Sequence, residues 1–398
     1  MSAAPVNPIV IWFGRVGDMI LLSALLSILH RRYGGRCHVI GAGSWPAELY
    51  AEHDDVARVT CLHRYTAFLF DGAWWRALAA LRRGRRDPVY VCEYDPRKLA
   101  RVRRLLRAGG IDPARCLFIT QTACFNDAPA ASVSPPPQAP PASPMHRVDA
   151  PAGAGTLLPQ APIDGPMHWV DRLVCFGRLT PPAFDAAAYP FPVPAPPYAP
   201  HLMVAAAARA DCTAWIEARG WGGRPLVLVQ PGNRRTMRGS RLRISSEDDK
   251  AWPIELWVAL LHRVHAQLPQ AVILLCGAPR ESLLLSWIKD AAQLPAVAAA
   301  ELPLPRLLAL CERAQSMISV DTGPAHAAAS LSLPLVVMFG AHSQQEWLPR
   351  SPSGSPVIGV GGPPQASRLD QVAGERVFEA WHALEGGLRP TTVRATAP

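Results

Sequence analysis

Short β-rich runs alternate with helix-like stretches in two separate blocks of this 398-residue chain, and this alternation most constrains the fold. In the first block, NPIVIWFG, RCHVIGAG and DPVYVCEYD read as strands, with helical patterns between them and an Arg-rich helix after the third. In the second block, PLVLVQPG, AVILLCGA, SMISVDTG and LPLVVMFG take the same role. Strands that alternate with helices at this spacing predict parallel sheets covered by helices.

Proline-rich segments separate the two blocks. Nineteen of the 42 prolines fall between Pro129 and Pro200. The stretch 128–166 is rich in Ala, Pro and Ser without periodicity, which predicts a flexible surface insertion. The segment YPFPVPAPPYAP at 189–200 predicts an extended, semi-rigid linker.

The two blocks predict two domains. The N-terminal Rossmann-like domain covers 1–188 and carries the insertion, and the C-terminal Rossmann-like domain covers 201–398 and ends in a tail. A chain of this length exceeds the usual size of one core, which also favours two domains. Ligands of such architectures bind in the cleft beyond the carboxyl ends of the strands.

Bulk composition excludes several classes of protein. The longest apolar run, MILLSALLSIL, is too short for a membrane span, and the N-terminus lacks the basic region of a signal peptide. Nine dispersed cysteines without a C-x-x-C pair indicate reduced thiols in a cytoplasmic protein. No P-loop and no dinucleotide fingerprint occurs, which argues against an NTPase or a dehydrogenase. His262 and His265 lie three residues apart on a helix without H-E-x-x-H, so we expect no metal site.

The net charge of +9 is concentrated at 82–107, which contains RRGRR, PRK and RVRR. One interpretation is a solvated helix face. The other is a surface for an acidic partner, such as anionic lipid headgroups or a phosphorylated glycan. No nucleic-acid-binding signature accompanies the charge, so we do not expect a nucleic-acid partner.

The motif SVDTGPAHAAAS offers a candidate anion site. A strand runs into Asp321, Thr322 and Gly323 form the turn, and Pro324 suits the first helical position. The helix start then presents free N–H groups and a positive dipole end, which suits a diphosphate. Taken alone, the motif is equally compatible with Asp321 as a helix cap and His326 as a core histidine.

Three further positions carry the same ambiguity. In WFGRVGDMILL, Asp18 follows Gly17 as either an N-cap or a general base at the cleft. Lys250 stands just before Trp-Pro, as either a solvated side chain or a phosphate ligand. Glu281, after CGAPR, either compensates a helix dipole or hydrogen-bonds ribose hydroxyls.

Together, FGRVGDMILLSALLSILHRRYG, VLVQPGN, DDKAWPIELW, CGAPRE and SVDTGPAHAAASLSLPLVVMFG resemble glycosyltransferase family 9, the ADP-heptose:lipopolysaccharide heptosyltransferases. The resemblance covers most of the chain in the right order. It implies a GT-B architecture: two Rossmann-like domains with parallel sheets, the nucleotide-sugar on the C-terminal domain and the acceptor mainly on the N-terminal one.

The resemblance also implies roles. Asp18 would be the catalytic base of an inverting transfer of heptose from ADP-heptose to a lipopolysaccharide core or lipid A acceptor, without a required cofactor or metal. The donor would be bound by the following residues: Gly17, Asn233, Lys250, Glu281, Asp321, Thr322, Gly323, Pro324 and His326. The enzyme would be cytoplasmic, with peripheral contact to the cytoplasmic face of the inner membrane.

The chain departs from the family pattern at two places. Ser23-Ala24 replaces a Thr-Pro, and Ala341-His342 replaces a Pro followed by a hydroxyl residue after FG. Two alternatives therefore stay open: a transferase of the same fold with another nucleotide-sugar donor, and a non-catalytic glycan- or nucleotide-binding paralogue.

Overall fold

Two parallel β-sheets with helices on their faces form the framework of the protein. The computed structural model describes residues 4–62, 72–122, 167–192, 198–239, 241–243 and 249–384. The predicted insertion at 128–166 lies outside the described residues. Residues 193–197 of the predicted linker also lie outside them. One sheet precedes the linker and the other follows it.

The first sheet has five strands in the order β3-β2-β1-β4-β5, and each neighbouring pair is parallel. Its strands are β1 Ile9–Ile11, β2 Cys37–Ala42, β3 Val56–Leu62, β4 Val89–Val91 and β5 Cys116–Phe118. The helices are α1 Val16–Tyr33, α2 Trp45–Leu49, α3 Gly72–Arg83, α4 Pro96–Gly109 and α5 Trp169–Arg178, with 3₁₀ turns at Pro113–Arg115 and Ile119–Gln121.

The second sheet has six parallel strands in the order β10-β9-β6-β11-β12-β13, and β7 and β8 form a separate antiparallel pair. The strands are β6 Leu226–Gln230, β7 Met237–Arg238, β8 Arg241–Leu242, β9 Val272–Gly277, β10 Val297–Glu301, β11 Ser316–Val320, β12 Leu335–Phe339 and β13 Val357–Gly361. The helices are α6 Ala206–Glu217, α7 Ile254–Gln267, α8 Ser282–Ala292, α9 Leu304–Arg313, α10 Gly323–Ser330, α11 Gln344–Trp347 and α12 Gly374–His382, with 3₁₀ turns at Pro279–Glu281 and Leu369–Gln371.

Helix α1 explains the longest apolar run of the sequence. It is apolar on nearly every side because it packs against α5 on one side and against α10 of the second sheet's domain on another. A helix that is hydrophobic all round belongs in a protein core or a membrane. Here the run forms the core between the two halves of the molecule. Among the described residues, no helix has the length and hydrophobicity required to cross a membrane.

Strand order places the candidate site. In each sheet the direction of winding reverses beside the first strand, between β1 and β4 and between β6 and β11. Crevices at such switch points, beyond the carboxyl ends of the strands, are where open α/β sheets bind ligands. Asp18 and Tyr94 follow the first pair of strands; Asn233 and Asp321 follow the second.

Several elements escaped the sequence patterns. The sequence patterns did not predict strands β5, β10 and β13 or helices α5 and α12. Strands β10 and β13 were missed because their sequences, VAAAE and VIGVG, lack the alternating bulky residues of a typical strand. The expectation of reduced thiols holds for seven described cysteines. It is wrong for Cys175 in α5, which is disulfide-bonded.

Candidate active site

Two helix N-termini meet where the domains face each other. A Cβ atom added at Gly17, near the start of α1, would lie 3.5 Å from the Gly323 Cα and 3.5 Å from the His326 Cδ2. A Cβ atom added at Gly323, at the start of α10, would lie 3.2 Å from the Gly17 nitrogen. The absence of a side chain at Gly323 therefore permits this close approach, which brings the start of α1 in one domain against the Asp-Thr-Gly-Pro turn of the other.

Asp18 serves as part of the cap of α1. Its Oδ2 accepts a hydrogen bond from the Arg15 backbone N–H at 2.7 Å. Burial raises the pKa of Asp18, while the Arg15 N–H and the charges of Arg15 and Lys98 act in the opposite direction. The cap interpretation is therefore confirmed, and the role of Asp18 as a general base stays a prediction.

Lys250 binds Asp321. The Lys250 Nζ donates to the Asp321 Oδ2 at 2.6 Å and to its carbonyl oxygen at 2.7 Å, and both residues are buried. His342 contacts the same carboxylate through Nδ1 at 2.8 Å. Burial alone would raise the pKa of Asp321, but the His342 hydrogen bond and the positive charge of Lys250 together hold it well below its usual range. An ionised Asp321 therefore fixes the Lys250 ammonium at the start of α10.

His326 lies in the first turns of α10. It is buried, and within the described part of the chain its Nδ1 has no hydrogen-bond partner. Burial lowers the pKa of His326 to about 4, and Lys250 adds to this effect against the opposing charge of Asp321. The ring is therefore neutral near pH 7. Thr322 is the extended N-cap residue of α10 without a side-chain cap bond, and Pro324 occupies the first turn as predicted.

A second polar group forms at the carboxyl ends of β6 and β9. Glu281 is buried and accepts the Ala278 N–H at 2.9 Å, and the Gln230 Nε2 lies 3.4 Å from its Oε1. Burial raises the pKa of Glu281. Asn233 closes a turn, since its backbone N–H donates to the Thr236 Oγ1 at 2.8 Å. The Asn233 turn follows β6 and Glu281 follows β9, so the two residues lie at neighbouring strand ends of the same sheet edge.

Gly232 is required for that packing. A Cβ atom there would lie 2.6 Å from the Glu281 Oε1 and 2.9 Å from the Leu284 Cδ2, so the Glu281 carboxylate would have to move. We expect Gly232→Ala to lower the free energy of unfolding by about 1–3 kcal/mol, the usual cost of overpacking. Gly222→Ala, where an added Cβ meets nothing within 4 Å, is the matched control. Urea denaturation of both variants tests this, and equal midpoints would contradict it.

Sequence patterns missed a row of rings across the cleft. His342 stacks on Trp347 with ring centroids 5.9 Å apart, Trp347 lies 5.3 Å from Trp169, and Trp169 lies 5.5 Å from Tyr94. Tyr94, which is 38% exposed, and Trp169 belong to the first domain, whereas Trp347 and His342 belong to the second. The sequence marked His342 only as a difference from the family pattern, in which a hydroxyl residue stands at this position after FG.

Glu93 is a further buried acid that the sequence analysis left out. Its Oε2 accepts the Phe13 N–H at 3.1 Å, and its Oε1 accepts the N–H groups of Tyr94 and Asp95 at 3.1 and 3.0 Å. These bonds tie the end of β4 to the loop that carries Asp18. Burial raises the pKa of Glu93. The position of Glu93 at a strand end, in CEYD, was the available signal.

Comparisons with known proteins agree with this geometry. The family model described as glycosyltransferase family 9 (heptosyltransferase) matches residues 184–368. Lipopolysaccharide heptosyltransferase 3 of Escherichia coli is 31% identical over 132 residues, which is 32% of this chain and 35% of that protein. The match thus spans about a third of the length of that curated relative.

Solved structures extend the similarity of fold over both domains. E. coli ADP-heptose lps heptosyltransferase II has a TM-score of 0.63 and 17% identity, covering 95% of this chain and 98% of that one. E. coli heptosyltransferase WaaC with ADP has a TM-score of 0.58 and 15% identity, covering 95% and 100%. The predicted GT-B architecture is confirmed by these matches. The glycosyltransferase family 9 model thus matches most of the second domain, and the solved structures show that the fold is shared over both domains.

Proposed function

We propose that this protein is an inverting glycosyltransferase that transfers a heptose from ADP-heptose to a sugar of the lipopolysaccharide inner core. The observation that carries the proposal is the meeting of the two helix N-termini at Gly17 and Gly323, which brings the partly buried Asp18 of one domain toward the turn of the other that holds the Lys250–Asp321 pair. The names of the relatives support the same donor and acceptor classes: one is a lipopolysaccharide heptosyltransferase, and another was solved with ADP.

The proposed reaction is a single displacement. The acceptor hydroxyl oxygen forms a bond to the anomeric carbon of the donor while its proton passes to the Asp18 carboxylate. The bond between the anomeric carbon and the diphosphate oxygen breaks, and ADP leaves with the electron pair. A positioned base contributes about 10²–10⁴-fold to such a rate. The burial that raises the pKa of Asp18 makes its carboxylate a stronger base than a solvated one.

The donor is assigned to the second domain. Lys250, held by Asp321, and the N–H groups at the start of α10 would stabilise the charge that develops on the leaving diphosphate. Glu281 and Asn233, at the ends of β9 and β6, would bind the nucleoside. Since an ammonium and a helix N-terminus supply the positive charge, the proposed chemistry requires no metal or cofactor.

The acceptor is assigned to the first domain and the rings beside it. Sugar rings present apolar C–H faces that pack on aromatic side chains. The Tyr94 ring is partly exposed. Burial, and next the charge of nearby Asp18, raise the pKa of the Tyr94 phenol. The Tyr94–Trp169–Trp347 row would therefore position an acceptor sugar across the cleft.

A basic cavity on the first domain could bind phosphate groups of the acceptor. An open cavity of about 400 Å³ between β3 and α3 is lined by Arg58, Arg76 and Arg83 with the half-exposed Trp75. Guanidinium groups suit phosphate oxygens, and a tryptophan beside them suits a membrane interface. We propose that this surface contacts the phosphorylated core or lipid A at the cytoplasmic face of the inner membrane.

Reversing charge at this cavity tests the assignment. Arg76→Glu/Arg83→Glu is expected to weaken binding to vesicles that contain anionic lipid by about 1 kcal/mol per cation removed, with a larger effect at low salt. Arg376→Glu, an exposed arginine of the other domain, is the control. Co-sedimentation with anionic and with neutral vesicles measures the effect. Unchanged binding of the double variant would refute a membrane role for this surface.

The activity itself is tested by ADP release. ADP-heptose is incubated with the enzyme alone and with lipopolysaccharide cores truncated at successive sugars. Acceptor-dependent release is expected, and the shortest active core identifies the acceptor sugar. GDP- and UDP-sugars are assayed in parallel for release of GDP and UDP. Release of GDP or UDP without release of ADP from ADP-heptose would overturn the donor assignment. Tight ADP binding without release from any donor would indicate a non-catalytic paralogue.

A further inference from the structure

A cluster of three histidines and one aspartate lies away from the candidate active site, where the predicted linker joins the second domain. His53 follows α2, Asp55 precedes β3, and His201 comes directly after the segment 189–200. The candidate ligand atoms of these three residues lie within 4.8 Å of one another. The His201 Nε2 is 3.6 Å from the Asp55 Oδ2, and the His53 Nδ1 is 3.9 Å from the same oxygen.

These separations are close to those of ligands that share one small metal ion. Zinc binds imidazole nitrogen and carboxylate oxygen at about 2.0–2.2 Å, so two of its ligands stand at most about 4 Å apart. The rings of His53 and His201 have their centroids only 4.6 Å apart, both beside one carboxylate. Closing the remaining gap requires a small movement of His201, whose side chain is 35% exposed.

The surrounding hydrogen bonds orient the ligands. The His53 Nε2 lies 3.2 Å from the His201 carbonyl oxygen, which can only accept, so Nε2 carries the proton. The Nδ1 lone pair accepts the Asp55 backbone N–H at 3.3 Å, and a metal ion bound there would displace this hydrogen bond. The other oxygen of Asp55 contacts the His30 Nδ1 at 2.7 Å. Metal-binding imidazoles and carboxylates are typically held by such outer hydrogen bonds, which fix the tautomer and the direction of the lone pair.

We propose that His53, Asp55 and His201 form a binding site for a divalent transition metal of the zinc type, with His30 positioning the carboxylate. Two imidazoles and a carboxylate suit zinc and leave a fourth position open on the side of the exposed His201 ring. The sequence predicted no metal site because the ligands come from segments almost 150 residues apart and form no H-x-x-H or C-x-x-C motif.

A metal here would have a structural effect. His201 is already tied to the first domain, since its backbone N–H donates to the Ser23 Oγ at 3.0 Å. Ser23 is one of the two positions at which the chain departs from the family pattern. Metal binding would add a further link between the end of the linker and the first domain, beside the hydrogen bonds to Ser23 and His53, and would restrict movement of the linker. This role is independent of the proposed transfer reaction.

The test uses the full chain without a histidine tag, freed of metal by a chelator. Isothermal titration with Zn²⁺ alone, and elemental analysis after gel filtration, should give one equivalent per chain. Co²⁺ at the same site should give the visible absorption of a low-coordinate centre. Less than a tenth of an equivalent bound, or weak binding without stoichiometry, would overturn the proposal.

Variants separate this site from incidental binding. His201→Gln, a partly exposed position, is expected to abolish stoichiometric uptake. His30→Ala should weaken affinity by about 10–100-fold, as expected for a group that acts through a ligand. His262→Gln, an exposed histidine of α7, is the matched control and should bind as the parent does. Equal Zn²⁺ affinity in the His201→Gln variant and the parent would refute the site, and circular dichroism verifies that each variant is folded.

Discussion

Replacing Asp18 by asparagine is expected to lower the rate of sugar transfer by about 10²–10⁴-fold while donor binding is retained. Asparagine still accepts the Arg15 N–H, so the cap of α1 is preserved. It cannot take up the acceptor proton. The comparison therefore removes the base without removing the structural contact.

The pH dependence gives the same prediction a second readout. Burial raises the pKa of Asp18, so the parent enzyme should lose activity as the pH falls through that raised value and the carboxylate becomes protonated. Asp18→Asn should lack this limb of the profile. A raised carboxyl pKa also means that ionised Asp18 slightly opposes folding at neutral pH, so the variant should not be less stable there.

Kinetics of ADP release and ADP titration measure the two effects separately. Asp112→Asn is the matched control, because Asp112 caps an exposed turn of the same domain by accepting the Ala114 N–H. It should change neither quantity. Full transfer activity in the Asp18→Asn variant would remove Asp18 from the proposed mechanism.

Replacing Lys250 by methionine is expected to have the largest effect on stability as well as on donor binding. The change leaves Asp321 buried without its cation, and breaking a buried ion pair in this way costs about 3–5 kcal/mol. Loss of the ammonium should also lower turnover by about 10²–10³-fold, the usual effect of removing one group that stabilises a developing charge.

The pH dependence of stability has a definite sign. In the parent, the pKa of Asp321 lies below its unfolded value of about 3.9, so its stabilising contribution is present above that pH and is lost only in stronger acid. Without Lys250, the pKa of Asp321 rises, because burial is then opposed mainly by the remaining His342 hydrogen bond. The variant should therefore regain stability as the pH falls from 8 to 5, whereas the contribution of Asp321 in the parent stays constant.

A double variant separates folding from binding. Lys250→Met/Asp321→Asn removes the unpaired charge and should recover most of the lost stability, but not ADP affinity. Lys289→Met, an exposed lysine of α8, is the control for loss of a lysine. Urea denaturation between pH 5 and 8 and ADP titration provide the data. Normal ADP affinity in the double variant would show that Lys250 acts only within the protein.

The sequence predicted most elements whose local pattern is strong. Helix α1, strands β1 and β2 and the strand–turn–helix around Asp321 agree with the structure to within a few residues. Strands β10 and β13 were missed because alanine and glycine carry little strand preference, and their pairing with β9 and β12 decides their conformation. Domain boundaries remain predictions, since the linker is only partly described.

The roles of the candidate site residues stay predictions, and the contacts among these residues were not predicted. Nothing in DDKAWP shows that Lys250 binds Asp321, 71 positions later, at 2.6 Å. Nor does FGAH show that His342 shares that carboxylate. Such contacts depend on which loops the sheet order brings to one edge, and sheet order is a property of the whole chain.

The sequence by itself determined the two α/β blocks, because hydrophobic periodicity and turn chemistry are local. The tertiary structure alone decided that Gly17 and Gly323 meet, that four rings line up across the cleft, and that His53, Asp55 and His201 gather at the linker. Each of these joins segments far apart in the chain. Their proximity arises from the packing of α1 between the two domains, which no local pattern encodes.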